Sequence, residues 1–244
     1  MATGKTNMRW ARLLVDSLDL SGDTRQVGSI GTVYDQQDQT AYSDAVHNFT
    51  LGHPTFELSG YQAVWNNTAV TGSAVELAVL EEYIVSFCMG IKAAPALGDP
   101  AILQTVDQVS YTLDGSDAVL IGVEFGKSTT TLAYEKCFGD VLEFGTSRSD
   151  TWNGTGFLTN GDAATANGAI AHLHVVDAFT GAYTFKVQDS ANNADWADLI
   201  TFSADGQTLV AESGTVAGSV DKYLRFQGTA GAGTGAVWCT IARQ

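Results

Sequence analysis

The last third of the chain most narrows what it can fold into. Six short runs, residues 169–176, 183–189, 199–202, 208–212, 223–227 and 236–241, carry Val, Ile, Leu, Tyr and Phe among polar residues and are parted by Gly, Asp, Asn and Ser. Runs of this length and make-up read as strands, and turn residues at such spacing join them into a β-sandwich. Twenty-six glycines against three prolines favour many strands joined by tight turns over long helices.

The first 150 residues read the same way with one exception. Strands are expected at 9–16, more weakly at 27–38, at 56–65 where apolar and polar positions alternate, at 83–91, and as a hairpin of 104–113 with 118–125 around the Asp114-Gly115 turn. The run 119–125 is nearly continuous apolar, as for a strand inside a core or beneath a neighbouring subunit. The exception is a helix expected over 73–82: Ser73 and Glu76 have the spacing of a capping box, in which a hydroxyl and a carboxylate each satisfy an orphan amide. Glu81 and Glu82 oppose the helix dipole at its end, so this helix is short and held by packing. Between about 139 and 168 the composition turns to Gly, Thr, Ser, Asn and Asp, which reads as loop and places a domain boundary near 150. The expected fold class is therefore all-β with one short helix, in two domains, 1–150 and 151–244.

Charge excludes some roles. Twelve Lys and Arg face 27 Asp and Glu, a formal net charge of −15. A surface that grips phosphates needs clustered cations, so sequence-independent nucleic-acid binding is disfavoured. The imbalance is uneven, with seven cations against eighteen carboxylates in residues 1–145 and five against nine in 146–244. Only 16% of residues are charged while 45% are hydrophobic, leaving a surface rich in Gly, Ser, Thr, Asn and Ala of the kind other protein covers. Cys88, Cys137 and Cys239 are odd in number and set among apolar neighbours, which suits buried free thiols better than a disulfide framework. No apolar signal core opens the sequence and no apolar stretch is long enough to span a bilayer, so neither secretion nor a membrane is expected.

No constellation of an enzyme emerges, and no catalytic residue, cofactor or metal is expected. His172 and His174 would share one strand face and could chelate a metal with Asp177, yet alternating polar residues on a solvated face explain them as well. His47 and His53 have no nucleophile motif to serve. Glu81 with Glu82, and Asp189 with Asp195 and Asp198, read as solvated charge rather than paired carboxylates. Gly4-Lys5-Thr6 lacks the earlier glycine and the strand of a phosphate loop. Trp196, after a polar loop, is either a stacking platform for a glycan or a residue that closes the sandwich core.

Residues 14–22 (LVDSLDLSG), 44–54 (DAVHNFTLGHP) and 56–61 (FELSGY) resemble the tail tube, or major tail, proteins of tailed phages, and residues 90–95, 98–100, 185–190, 196–199 and 223–227 are similar to the same group. The resemblance covers most of the chain, although 128–150 does not match. It implies a rolled β-sheet or barrel domain with one helix, followed by a small β-sandwich on the outside. It also implies a virion protein made in the host cytoplasm, with self-association into hexameric rings that stack into a tube. Other tail proteins would adjoin the tube, and genomic DNA would pass through it without specific binding. An acidic lumen would repel a polyanion and so suit a conduit. The alternatives are a carbohydrate-binding or host-attachment module and a capsid decoration protein.

Overall fold

The computed structural model describes residues 8–41, 46–68, 72–91, 93–115, 119–128, 137–158, 163–229 and 231–244. Seventeen strands and one α-helix appear among them. In chain order they are β1 (Ala11–Val15), β2 (Leu18–Asp19), β3 (Thr24–Gln26), β4 (Ser29–Asp38), β5 (Phe49–Val64), α1 (Ser73–Glu76), β6 (Glu82–Met89), β7 (Pro100–Asp114), β8 (Leu120–Lys127), β9 (Phe138–Phe144), β10 (Trp152–Asn153), β11 (Phe157–Leu158), β12 (Ala169–Asp177), β13 (Thr184–Ser190), β14 (Ala197–Thr201), β15 (Val210–Val216), β16 (Tyr223–Thr229) and β17 (Ala236–Arg243). The fold class is all-β with one short helix. Every one of the six strands expected after residue 168 is present.

The chain forms two compact units that interleave in sequence: residues 1–23, 83–103 and 136–244 make the first, and 24–82 and 104–135 the second.

In the first unit β12 lies between β15 and β17, and β17 pairs in turn with β9, all antiparallel. A second, five-stranded sheet runs β10-β16-β13-β14, with β11 also on β16. The faces of these sheets meet in an apolar core. Ala169, Ala171, Leu173 and Val175 of β12, with Val237, Cys239 and Ile241 of β17, face Phe185 and Val187 of β13 and Leu224 and Phe226 of β16. Their odd-and-even spacing is the two-residue period of a pleated strand, and the result is a β-sandwich.

The opposite faces of β12 and β17 are buried as well, because β6 and β1, themselves paired antiparallel, lie over them. Both strands are thus buried on each side from their first residue to their seventh. His172 and His174 accordingly have no exposure, which corrects the expectation of a solvated face.

Three strands lie in the stretch read as loop, the two-residue β10 and β11 and the longer β9. Residues 138–144 (FGDVLEF) were expected within a loop-rich stretch, yet they form β9, a central strand that pairs with both β17 and β7. Its Gly, Asp and Glu mimic loop composition. Glu143 is buried at 1% exposure because its charge is met inside the unit: Arg148 Nη2 donates to it at 3.1 Å and Trp152 Nε1 at 2.9 Å. Trp152 in turn packs among Phe179, Tyr183, Phe185 and Phe226, with ring centroids 5.8–6.3 Å away. It is this tryptophan, and not Trp196, that sits in the sandwich core.

In the second unit β5 pairs with β3 and β4 on one side and β8 on the other, and β8 pairs with residues 106–114 of β7. The tip of the β7–β8 hairpin, where the Asp114-Gly115 turn was expected, lies partly outside the described residues. Leu58, Tyr61, Ala63, Ile121, Val123 and Phe125 are buried between these strands and what packs on them. Gly60, in the left-handed region at φ +64°, lies in the bulge that interrupts the pairing of β5 with β8 between Leu58 and Tyr61. Before that bulge, residues 49–57 pair with β4 alone.

The helix is shorter than the 73–82 expected, and its N-cap is Gly72, so Ser73 is the first helical residue rather than the cap. The Ser73 hydroxyl donates instead to the Val64 carbonyl at 3.3 Å. Tertiary contacts hold this single turn, as for any helix too short to persist alone: Leu77 is buried, and its carbonyl accepts from Gln108 Nε2 at 2.8 Å.

Trp152→Phe keeps the ring and removes the donor to buried Glu143. It is expected to lower the unfolding free energy by about 1–3 kcal/mol in urea denaturation. A loss below about 0.5 kcal/mol, within ordinary surface-substitution noise, would show that the carboxylate is satisfied without the indole.

Candidate functional site

The densest cluster of chemically capable side chains lies in the dry layer between β12, β17 and β6. His174 Nδ1 is 2.6 Å from the Asp16 carbonyl oxygen, and its Nε2 is 2.8 Å from Ser86 Oγ. Ser86 Oγ is also 3.0 Å from Thr240 Oγ1 and 3.3 Å from His172 Nδ1. A ring nitrogen facing a carbonyl must carry the proton, so His174 is the Nδ1–H tautomer and its Nε2 accepts from the serine hydroxyl.

Local structure places the parts. Asp16 adopts a left-handed conformation, φ 49°, in the tight turn between β1 and β2, where its Oδ1 accepts from Ile84 N at 2.7 Å. That turn aims its carbonyl at β12. His172 and His174 are two residues apart and so share the face that meets β6.

The arrangement joins a hydroxyl, an imidazole and an orienting oxygen, the parts of an activated nucleophile. It has no room for a substrate. Ser86, Thr240, His172 and His174 are all fully covered. Burial lowers the His174 pKa to about 4 despite its bond to Asp16, and lowers that of His172 still more clearly, with His174 adding to the effect and a bond to the Val85 backbone opposing it. Both rings are neutral at pH 7. The cluster satisfies polar groups inside a core and holds β12 to the β1–β6 layer.

Other candidate residues do not converge. Among the described residues no group of three His, Cys, Asp or Glu could hold a metal ion. Asp198 accepts from Lys186 Nζ at 2.6 Å and from Gln188 Nε2 at 2.7 Å, which lowers its pKa, while Asp189 accepts from the Asp221 amide and Asp195 from Asn192 Nδ2. These carboxylates are partnered one by one rather than with each other. His47 is exposed, 3.4 Å from Asp38. The three cysteines form no disulfide and are buried, and desolvation pushes the Cys88 and Cys239 thiols up, so these two stay protonated.

Trp196 precedes β14 and lies outside the sandwich core. The Arg225 guanidinium sits over its ring, 4.3 Å from the centroid, and Arg225 Nε donates to Gln188 Oε1 at 2.8 Å. Arg225, Gln188 and Asp198 are opposite one another on β16, β13 and β14 and form a polar ladder across the outer face of that sheet. A cation stacked on the indole occupies surface that a sugar ring would need.

An opening lies where β7, β9 and β17 meet, lined by Pro100, Phe138, Asp140, Ile241 and Arg243. Composition hid it, since Asp140 lay in the stretch read as loop.

No protein-family model and no curated protein matches the chain. Among solved structures, the SPP1 Dit (gp 19.1) protein, described as a paradigm of the hub adsorption apparatus in phages that infect Gram-positive hosts, aligns over 96% of this chain and 99% of its own. The identity is 11% and the TM-score 0.32, too low for an argument about fold or role. Among the described residues no helix is long and apolar enough to cross a membrane.

The buried histidines make stability depend on pH. An unfolded imidazole titrates near 6.5 and folded His174 near 4, so below pH 6.5 the unfolded chain takes up protons that the folded one refuses. Stability is expected to be complete above pH 6.5 and to fall as the pH drops toward 4, by about 3 kcal/mol for His174 alone at roughly 1.4 kcal/mol per unit. Urea midpoints of the wild type and of His174→Gln should diverge over that window. Parallel curves would mean that the ring is not held neutral.

Proposed function

We propose that the chain is a structural subunit of a phage tail, without enzymatic activity, and that it builds the tube by closing into hexameric rings that stack. The observation that carries this reading is the ribbon of β4 with residues 49–57 of β5. Among the described residues β4 pairs only with β5, so its other edge offers the backbone donors and acceptors of alternate residues, about half of the ten. A two-stranded ribbon is marginal in water, and an uncovered edge invites another strand. Phe49 at 58% exposure and Tyr34 at 37% add apolar surface to the same ribbon. A second copy that pairs along β4 supplies both missing interactions.

Composition supports the same reading. The surface is poor in charge, and the cations are outnumbered most in residues 1–145, so a channel lined by this part of the chain repels DNA rather than holding it. The sequence resemblance to tail tube proteins agrees in kind. The units interleave across residue 150, so in this proposal the tube wall is built by the second unit, residues 24–82 and 104–135, and other tail proteins adjoin it.

The test is assembly. Purified protein should form rings or hollow tubes by electron microscopy, and a variant with residues 31–55 replaced by a short Gly-rich turn should stay monomeric in light scattering with the same melting temperature for the first unit. Dispersed monomers of the intact chain across salt and concentration would overturn the reading. Binding to capsids instead of self-assembly would favour a decoration protein.

A further inference from the structure

The opening at the junction of β7, β9 and β17 is a built site of about 350 Å³ within the first unit. Its geometry follows from strand register. Asp140 lies directly opposite Pro100 on β7 and opposite Ile241 on β17, so the three side chains share one face of the sheet. Phe138 and Arg243, each two residues along from a member of that row, fall on the same face. Gly139 between them lets the strands close up, because a Cβ there would come within 1.8 Å of the Ile241 carbonyl oxygen.

Three groups define this face. Asp140 is only 5% exposed, and its buried Oδ1 has no hydrogen-bond partner. A buried carboxyl without a donor is costly and uncommon. Burial raises its pKa to about 6 although Arg243 pulls the other way. Arg243 Nη1 donates to the Ala163 carbonyl at 2.7 Å, which fixes the guanidinium at the rim. Phe138 is 62% exposed, the most exposed aromatic residue among the described ones.

These features select a ligand by elimination. A cation meets Arg243, and an anion meets Asp140. An extended peptide finds no free backbone, since β9 is paired on both sides at Asp140. What remains is a neutral group that both donates and accepts and carries an apolar face. Sugar hydroxyls donate to a carboxylate and accept from a guanidinium, and the C–H face of a pyranose packs on an aromatic ring. A volume of about 350 Å³ is at the small end of ligand pockets and suits one ring.

We propose that this pocket binds a neutral saccharide ring, with hydroxyls on Asp140 and Arg243 and its apolar face against Phe138. The site is separate from Trp196 and does not depend on assembly into a tube.

The test uses the full chain and the methyl glycosides of glucose, galactose and N-acetylglucosamine, read by saturation-transfer NMR and titrated by chemical shift. At least one is expected to bind with a millimolar dissociation constant, as suits a single ring. Phe138→Ala, which removes an exposed side chain, and Asp140→Asn, which keeps the shape, should each weaken it about tenfold or more, a loss of one good interaction. Retained melting temperatures of both variants separate loss of binding from loss of fold, and if Asp140→Asn does not fold, Phe138→Ala alone decides. Absence of binding by all three glycosides overturns the proposal. So does binding indifferent to the variants, or displacement of the sugar by acetamide, methylguanidinium or acetate at equal concentration.

Discussion

Strands β12 and β17 are covered on both faces, and this double burial constrains the rest of the first unit. One face of each supplies the sandwich core opposite β13 and β16, and the other lies beneath β1 and β6. A middle layer normally reads as a continuous apolar run. Here two histidines and a threonine interrupt it, and each polar atom placed there has to find its partner in the neighbouring layer or remain desolvated. The partners are specific: the Ser86 hydroxyl and the Asp16 carbonyl. Because the Asp16 carbonyl is oriented by a left-handed turn, the β1–β2 hairpin and β12 can meet in one register. An apolar layer of the same volume would tolerate a slip along the strand, whereas a slip here strands an imidazole.

That economy also explains which parts of the fold were legible in the sequence. The six strands after residue 168 stood out because apolar runs and turn residues alternate there without exception. The helix start at Ser73 was legible too, but its extent was not. Val75 and Val79 have helical spacing, and both are exposed, so no core surface draws the helix past its first turn. The histidines were misplaced because alternation marks which residues share a face and says nothing of what lies over that face. Only the position of β6, 86 residues away in sequence at Ser86, decides it. Strand β9 was missed for the related reason that Asp140 and Glu143 look like loop residues until Arg148 and Trp152 are seen to close on Glu143.

The second unit follows a different logic. Its core between β5, β7 and β8 is conventional, and past the Gly60 bulge the ribbon of β4 and β5 extends without a third strand. Natural proteins blunt such edges with charge, proline or a covering element. In β4 the sequence SIGTVYDQQD has charge only at Asp35 and Asp38 and no proline, so little in it discourages pairing. An edge left open in a chain with few surface charges is best understood as an edge that another chain completes.

Among the described residues of the first unit Asp140, Glu143, Asp189, His172 and His174 are buried, and comparison among them separates architecture from binding. The histidine pair is closed on Ser86, Thr240 and Asp16, and Glu143 is closed on Arg148 and Trp152. Each cluster finds its partners within the unit, and neither offers a ligand a way in. Asp140 differs from Glu143 in both respects. Its Oδ1 has no partner, and it lines an opening beside an exposed phenyl ring. A structural carboxylate in this protein has donors fitted around it, as Glu143 shows at a distance of only three residues along the same strand. The lack of that fitting at Asp140 is therefore informative, since the same strand demonstrates how the chain satisfies a buried acid when burial is all that is required of it.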